Sequence, residues 1–404
     1  MTSISSSRNN NNNSTTYYIG FDVDHTLIKY KNDALGELIF HACARFLWEE
    51  KGYDRANLDV PYERKYGNNR RGLIWDLRTG DIVELSKLGF VKDAYCGTKQ
   101  LTKEEIQAKY NNNNNNTTHF SFDLIRSHTS GDYFTLFDFF VNSTAYLIML
   151  LVDNNMCNNG NYKATLTDLF AAFDFNFAVP HFAISKGYYF PPIVKTPEKY
   201  IVDRRADKTD EYLKELQKNP NVKLFLLTNS NYDYATFLLK YAFGDDFLDH
   251  FALVIYNGQK KRGFFTAKSS DEKPFLAYNP PANTNLKSEE PLNMSLKNYG
   301  GKEVIDGNLI DLNEYFGVSN SDNSSNIQVI YMGDDWKGDV ILPRIYKWFT
   351  VAIAEELGDE RKDEFIYGCT NFDMEETFFY SMLSEGGDIL CSDVKEGTLS
   401  KIVS

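Results

Sequence analysis

The sequence predicts an α/β protein built on a central parallel sheet, and three observations predict it. Four short apolar runs, Tyr17–Phe21, Val222–Leu227, Ile327–Met332 and Phe349–Ile353, have the length and composition of buried strands. Helix-periodic segments separate several of them, and strands alternating with helices imply parallel pairing through right-handed crossovers. Asp22 and Asp24, Thr228–Asn229–Ser230, and Asp334 stand just after three of these runs. An open parallel sheet places its ligand site at those carboxyl ends.

Bulk composition narrows the class. The 404 residues leave room for one large domain or two, and 42% hydrophobic with 15% aromatic residues suffices for a substantial core. A net charge of −13 argues against a general nucleic-acid or anionic-membrane binder, which needs a basic face. The cysteines (Cys43, Cys96, Cys157, Cys369, Cys391) are scattered, without a CxxC pair. The N-terminus has no apolar signal core, and the longest aliphatic run, Tyr146–Val152, is far too short to span a bilayer. A soluble protein of a reducing, cytoplasmic compartment is expected.

Taken in order, residues 1–16 are mostly Ser, Thr and Asn, the composition of a disordered tail. Asn111–Asn116 and Ser319–Asn326 read as loop insertions. After the first strand, Asn32 or Asp33 is the expected N-cap of a helix running to about Glu50, with Leu35, Leu38, Ile39, Ala42 and Phe46 at helical spacing. Residues 51–205 lose the α/β rhythm and read as an insertion or second lobe. There Gly72–Leu77 and Asp81–Leu85 flank Arg78-Thr79-Gly80 as a β-hairpin, and helices are expected near Thr102–Tyr110, Leu136–Val152 and Thr165–Phe173. From 206 the rhythm returns: a helix over Lys208–Gln217, the strand Val222–Leu227, a helix carrying Tyr232, Ala235, Leu238, Leu239 and Ala242 that stops at Gly244, and a strand over Phe251–Tyr256. Beyond Asp359, the residues Tyr367, Phe378, Phe379, Tyr380 and Met382 are expected in a helix over the core.

Each polar group has a plain reading and a functional one. Asp22 and Asp24 read as helix cap and surface acid, or as a paired-carboxylate site that needs a cation. Thr228-Asn229-Ser230 caps a helix, or cradles a phosphate with hydroxyl, amide and backbone N–H groups. Lys260-Lys261-Arg262 is a solvated charge run, or a phosphate-facing cation. Asp334, Asp335 and Asp339 form a surface turn, or the second half of a metal site. Their order along the chain is what favours the functional reading. A carboxylate nucleophile, a proton donor, a divalent cation and a lysine are the parts a phosphoryl-transfer site needs.

The chain resembles the haloacid dehalogenase (HAD) superfamily of phosphohydrolases. Within it, the chain is similar to the cytosolic purine 5′-nucleotidases and 5′-nucleotidase domain-containing proteins, also grouped as the 5′(3′)-deoxyribonucleotidase family. The resemblance is carried by Gly20-Phe21-Asp22-Val23-Asp24-His25-Thr26-Leu27, by Arg71–Gly80 with Leu88–Val91 and Ala94–Thr98, by Pro197–Tyr200, and by Leu224–Ser230. It extends from about 17 to 357 and is weakest between 267 and 325. It implies a Rossmann-like HAD core, 17–50 and 206–404, with a mostly helical cap, 51–205, inserted between the first and second motifs. It implies Asp22 as nucleophile through an aspartyl-phosphate, Asp24 as proton donor, and Thr228 and Asn229 as phosphate ligands. Mg²⁺ would be held by Asp22, by Asp24 through its backbone carbonyl, and by Asp334, with Asp339 beside it. The family's Lys-Pro-x-Phe-Phe motif falls on Lys261-Arg262-Gly263-Phe264-Phe265, which selects Lys261 over Lys260.

The implied function is Mg²⁺-dependent hydrolysis of a phosphomonoester, most directly a nucleoside 5′-monophosphate. The alternatives are a phosphatase for another phosphorylated metabolite and a nucleotide-binding scaffold with little activity. Trp75, Tyr188, Tyr189 and Phe190 are candidates to stack on a base. The expected partner is a small molecule, neither nucleic acid nor membrane. A homo-oligomer stays open, since no heptad seam is present. Two departures stand out: Asp335 adds a carboxylate where the family carries His or Ser, and Arg262 replaces the motif proline. His25, expected to face away from the aspartates, has no part in the chemistry.

Overall fold

The computed structural model describes residues 15–66, 71–110, 131–178, 181–279, 288–292, 295–318, 326–358, 379, 382–383 and 386–395. The Asn9–Asn13 and Asn111–Asn116 tracts, most of Ser319–Asn326, Cys369, Tyr367, Phe378 and Tyr380 lie outside them.

The strands are β1 (Thr16–Phe21), β2 (Leu73–Asp76), β3 (Ile82–Leu85), β4 (Val91–Cys96), β5 (Lys99–Gln100), β6 (Tyr133–Leu136), β7 (Val222–Leu227), β8 (Leu253–Tyr256), β9 (Phe275–Asn279), β10 (Ser288–Pro291), β11 (Glu303–Asp306), β12 (Ile327–Gly333), β13 (Phe349–Ile353) and β14 (Ile389–Cys391). Nine of them form one sheet in the order β10-β9-β11-β8-β7-β1-β12-β13-β14. Every pairing from β11 to β14 is parallel, and β9 alone runs against the rest, through antiparallel pairings to β11 and β10. This is the predicted α/β fold with a central parallel sheet. Inside it β1 lies between β7 and β12, and burial on both faces explains its continuous apolar run.

The predicted helix after β1 spans Asn32–Glu50 and buries Leu35, Ile39, Phe40, Cys43, Phe46 and Leu47. Neither Asn32 nor Asp33 caps it. Lys31 holds the cap position without a side-chain bond, while Asp33 pairs with Arg64 at 2.9 Å. The helix after β7 spans Tyr232–Phe243 and ends at Gly244, as its spacing predicts. Those two helices pack apolar faces into the cluster that holds Ile19, Phe21, Leu224, Leu226, Ile330 and Met332.

Within 51–205 the predicted hairpin is β2–β3, the centre of a second, antiparallel sheet of order β5-β4-β3-β2-β6. The helix near Thr102 is Lys103–Lys109, closed by a capping box between Thr102 and Glu105. The single helix expected over Leu136–Val152 is not there. Leu136 ends β6, and two helices follow, Phe139–Asn142 and Ala145–Asp153. The break has a local cause. Asp138 caps the first piece through the Phe140 N–H at 2.8 Å. Ser143 and Thr144 then turn their hydroxyls back onto the carbonyls of Phe139 (2.8 Å) and Val141 (2.7 Å), competing with helix continuation. The third helix is longer than expected, Tyr162–Phe177.

The strands β9, β10, β11 and β14 and the helix Leu309–Phe316 are not among the elements expected from the sequence. Phe379, Met382 and Leu383 are buried against Val340 and Ala352, where covering residues were expected. The described cysteines Cys43, Cys96, Cys157 and Cys391 are free thiols, and no helix among the described residues is long and apolar enough to cross a membrane.

Gly20, inside β1, is a site of close approach: a Cβ there would lie 2.2 Å from the Phe225 ring. Gly20→Ala should therefore lower stability by about 1–3 kcal/mol through overpacking, read as a fall in the urea midpoint at unchanged m-value. An unchanged midpoint would show that Phe225 moves aside freely.

Candidate active site

The parallel register brings three chain segments to one edge. Phe21 lies between Leu226 and Met332, so the residues that follow the three strands emerge side by side. Asp22 continues β1 for one more bond, its N–H donating to the Met332 carbonyl at 2.8 Å. Its Oδ1 accepts from the Val23 N–H at 2.8 Å. Asp334 follows β12, and Asp339 returns to the same place from the turn Trp336–Ile341. Gly333 makes that return possible, because a Cβ on it would sit 2.4 Å from the Asp339 side chain. Asp22, Asp334 and Asp339 each offer a carboxylate oxygen within 4.8 Å of the other two, and all three are buried.

Such a cluster is costly without cations. Burial, opposed by Arg71 and reinforced by Asp138, Asp339 and Asp22, pushes the Asp334 carboxyl well above the ordinary carboxylate range. Burial does the same to Asp339 against the pull of Lys260. The protein supplies two buried cations. Lys260 places Nζ 2.8 Å from Asp22 Oδ2 and also pairs with Asp339. Burial opposes its charge, but Asp22 and Asp339 outweigh that and hold the ammonium well above its ordinary value. Arg71, fully buried, donates to the Asp334 carbonyl at 2.8 Å and carboxylate at 3.2 Å, and binds Glu356 at 2.8 Å. Its guanidinium also lies over Phe139, 4.4 Å from the ring centroid. The carboxylates still outnumber these charges, and three oxygens within this spacing form a hard-ligand set that suits a divalent cation such as Mg²⁺.

The choice of Lys261 is corrected by one residue: Lys260 is the lysine at Asp22, and Lys261 pairs with Asp335 at 2.5 Å. Motif spacing fails here because the backbone is irregular. Gln259 is left-handed (φ 48°) and Gly263 has φ 146°, so the turn Lys260–Phe264 does not project side chains at a regular interval. The Lys260 N–H is tied to Asn229 Oδ1 at 2.8 Å, which aims the side chain inward. The pair Lys261–Asp335 also answers the departure at Asp335, whose negative charge is met by Lys261. The sequence places Arg71 only at the start of the hairpin segment. An arginine ahead of an apolar strand carries no signal that it reaches another segment.

Asp24 lies apart from the cluster. β1 ends at Phe21, so strand alternation does not govern it. Its Oδ1 accepts from the Tyr30 hydroxyl at 2.5 Å and its Oδ2 from the Ser230 hydroxyl. Tyr30 contacts the Tyr234 hydroxyl at 3.2 Å, and Tyr234 contacts Tyr189 at 3.1 Å. Burial raises the Asp24 carboxyl above its ordinary value; the Ser230 and Tyr30 donors oppose this and Asp22 adds to it. Thr228 and Asn229 stand at the end of β7 beside these groups. Thr228 Oγ1 accepts from the Ser230 N–H at 3.1 Å. The helix-capping reading of this segment is not realised: the cap position is Asn231, without a side-chain bond. His25 is buried with φ 51°, stacked on Phe139 at 4.3 Å between centroids and 3.6 Å from Glu355.

A cavity of about 660 Å³ opens from Asp24, Asn229, Ser230 and Lys261 toward Phe140, Phe177 and Phe190. Of the four aromatic residues considered for stacking on a base, Phe190 alone lines it. Trp75 is buried and bonded to the Gly80 carbonyl at 3.2 Å, Tyr188 lies under Arg45, and Tyr189 is committed to Tyr234.

Residues 8–364 match the sequence model of the 5′ nucleotidase family. The chain is 34% identical over 346 residues to 5′-nucleotidase domain-containing protein 1 of Homo sapiens, across 85% of this chain and 72% of that protein. The Bos taurus protein of the same name is 31% identical over 346 residues (85% and 73%). The 5′-nucleotidase domain-containing protein 2 of Homo sapiens is 26% identical over 349 residues (84% and 61%).

The two lysines should differ in stability as they differ in burial. Without divalent cations, Lys260→Met should lose about 3–5 kcal/mol because it strands buried carboxylates. Lys261→Met, whose side chain is 26% exposed, should lose only ~1 kcal/mol by urea denaturation. Equal losses would contradict the assignment.

Proposed function

Because the chain belongs to the 5′-nucleotidase family, we propose that it is an Mg²⁺-dependent phosphomonoester hydrolase acting on nucleoside 5′-monophosphates through an aspartyl-phosphate on Asp22. The observation that carries this reading is the separation of two aspartates two residues apart. Asp22 faces Lys260 inside the acidic cluster, while Asp24 sits outside it in a hydroxyl network on the cavity wall.

In the proposed reaction the Asp22 carboxylate attacks phosphorus as the bond to the nucleoside oxygen breaks. Asp24, with its carboxyl raised by burial, gives its proton to that oxygen. In the second half Asp24 takes a proton from water, water attacks the acyl phosphate, and inorganic phosphate leaves with Asp22 restored. Thr228 and the Asn229 amide donate to the phosphate oxygens, and Lys260 offsets the charge that develops on them. Asp22, Asp334 and the Asp24 carbonyl would hold Mg²⁺ with Asp339 beside it. Bound there, the ion supplies charge that neutralises phosphate and carboxylates. Arg71 orients Asp334 from the far side.

The substrate is taken to be a free small molecule, in keeping with a net charge of −13. Free thiols at Cys43, Cys96, Cys157 and Cys391 are compatible with a cytoplasmic setting.

Phosphate release from a panel of nucleoside 5′-monophosphates tests the proposal. Release should fall to background in EDTA and return with excess Mg²⁺, and Asp22→Asn should lower turnover by at least about 10³-fold. No release from any monophosphate, or unchanged turnover in Asp22→Asn, contradicts it.

A further inference from the structure

Asp24 is the group that hands a proton to the departing alcohol in the reaction proposed above, and its side chain has to be aimed. The sheet does not aim it, because β1 ends at Phe21. The chain turns instead: the Ile28 N–H returns to the Val23 carbonyl at 2.8 Å, and His25 is left-handed. That turn brings Tyr30 back onto Asp24. Beyond it the backbone is pinned. Tyr30 is bridged to Ile201, the Lys31 N–H donates to the Tyr200 carbonyl at 2.8 Å, and the Val202 N–H donates to the Lys29 carbonyl at 3.0 Å. The Tyr30 ring packs against His25 and Phe140, with centroids 4.8 Å and 6.1 Å away.

The two Asp24 oxygens have different partners. Oδ2 accepts from the Ser230 hydroxyl, and both Asp24 and Ser230 line the cavity. Oδ1 accepts from the Tyr30 hydroxyl at 2.5 Å, and Tyr30 is buried and is not one of the residues that line the cavity. Tyr30 therefore acts on Asp24 and not on a ligand there. Its oxygen lies 3.2 Å from the Tyr234 hydroxyl, which lies 3.1 Å from that of Tyr189. An ionised carboxylate only accepts, so Tyr30 donates to Asp24, Tyr234 to Tyr30 and Tyr189 to Tyr234. Each donation polarises the next in the same direction.

We propose that Tyr30 is a positioning residue for the proton transfer: its hydroxyl engages Oδ1 and so leaves Oδ2, on the Ser230 side, as the oxygen that carries the proton to the departing alcohol. The inference rests on the hydrolase reading above and deepens it. Ser230 serves both forms of the carboxyl, because a hydroxyl donates to the ionised oxygen and accepts from the protonated one. As the P–O bond breaks, its electron pair stays on the nucleoside oxygen and the Oδ2 proton passes to it. Tyr30 neither gains nor loses a proton in that step. Without its hydroxyl, Asp24 keeps the proton but loses the contact that sets its orientation.

Tyr30→Phe keeps the ring and removes only the hydroxyl. Its first turnover, followed by rapid quench with Mg²⁺, is compared with that of the wild type on two substrates. One is the nucleoside 5′-monophosphate that the wild type hydrolyses fastest; the other is the same nucleotide with sulfur in place of the bridging 5′ oxygen. A thiolate, whose conjugate acid has a pKa of about 8.5, departs unprotonated, whereas an alkoxide needs the Asp24 proton. The wild type should cleave both. Tyr30→Phe should slow the oxygen substrate about 10- to 100-fold and the sulfur analogue by less than about threefold. Equal losses on the two, an unchanged rate on the nucleotide, or no cleavage of the analogue by the wild type overturns the inference. If Tyr30→Phe does not fold, Tyr234→Phe, which removes the donor to Tyr30, decides. A loss of about threefold or more confined to the oxygen substrate supports the inference, and a loss shared by both substrates or seen in neither overturns it. Phosphate release by the wild type judges the hydrolase reading separately. Release with an unselective Tyr30→Phe removes this inference alone; no release from any monophosphate removes both.

Discussion

The ammonium of Lys260 is the group on which the site depends. It is fully buried, and it stands against Asp22 from β1 and Asp339 from the turn after β12. Two carboxylates from distant segments can converge in an apolar interior only if a cation meets them there. The lysine is brought in from a third segment, through the bond between its own N–H and Asn229 at the end of β7. One residue, through its side chain and its own N–H, thereby ties together the ends of three neighbouring strands. Arg71 repeats the device on the other flank, joining Asp334 to Glu356 and to the entrance of β2.

The parallel sheet is what makes such a convergence inexpensive. Strands β7, β1 and β12 are adjacent and in register at their carboxyl ends, so residues more than a hundred apart in sequence emerge within one side chain's reach. Two glycines keep the layers close: Gly20 under the Phe225 ring and Gly333 under Asp339. Outside the acidic cluster, the hydroxyls of Tyr30 and Ser230 hold Asp24 on the cavity wall. Two aspartates in one short segment therefore occupy different electrostatic environments, one beside a buried cation and one in a ring of neutral donors.

The parts of this arrangement that were legible in the sequence are those with local or periodic signals. The apolar runs of β1, β7, β12 and β13 and the helical spacing of Leu35, Ile39 and Phe46 reveal buried faces directly. Acidic and hydroxyl residues after those runs reveal the sheet edge. What was not legible depends on irregular backbone or long-range approach. The choice between Lys260 and Lys261 turns on positive φ at Gln259 and Gly263 within one turn. The reach of Arg71 to Asp334 crosses 263 positions. The helix break at Ser143 and Thr144 depends on hydroxyls that bond back to carbonyls, which apolar spacing does not register. Trp75 and Tyr189 were attractive as stacking partners by type alone, and their hydrogen bonds commit them elsewhere.

The central claim is that Asp22 receives a phosphoryl group in a cation-lined acidic cluster. Its most direct measurement is a crystal structure of the protein with Mg²⁺ and beryllium trifluoride, a mimic of an acyl phosphate. The account predicts beryllium trifluoride on the Asp22 carboxylate, an ion between Asp22 and Asp334, and Lys260 against the fluorides. Beryllium trifluoride on another residue, or an ion bound away from Asp22 and Asp334, would contradict it.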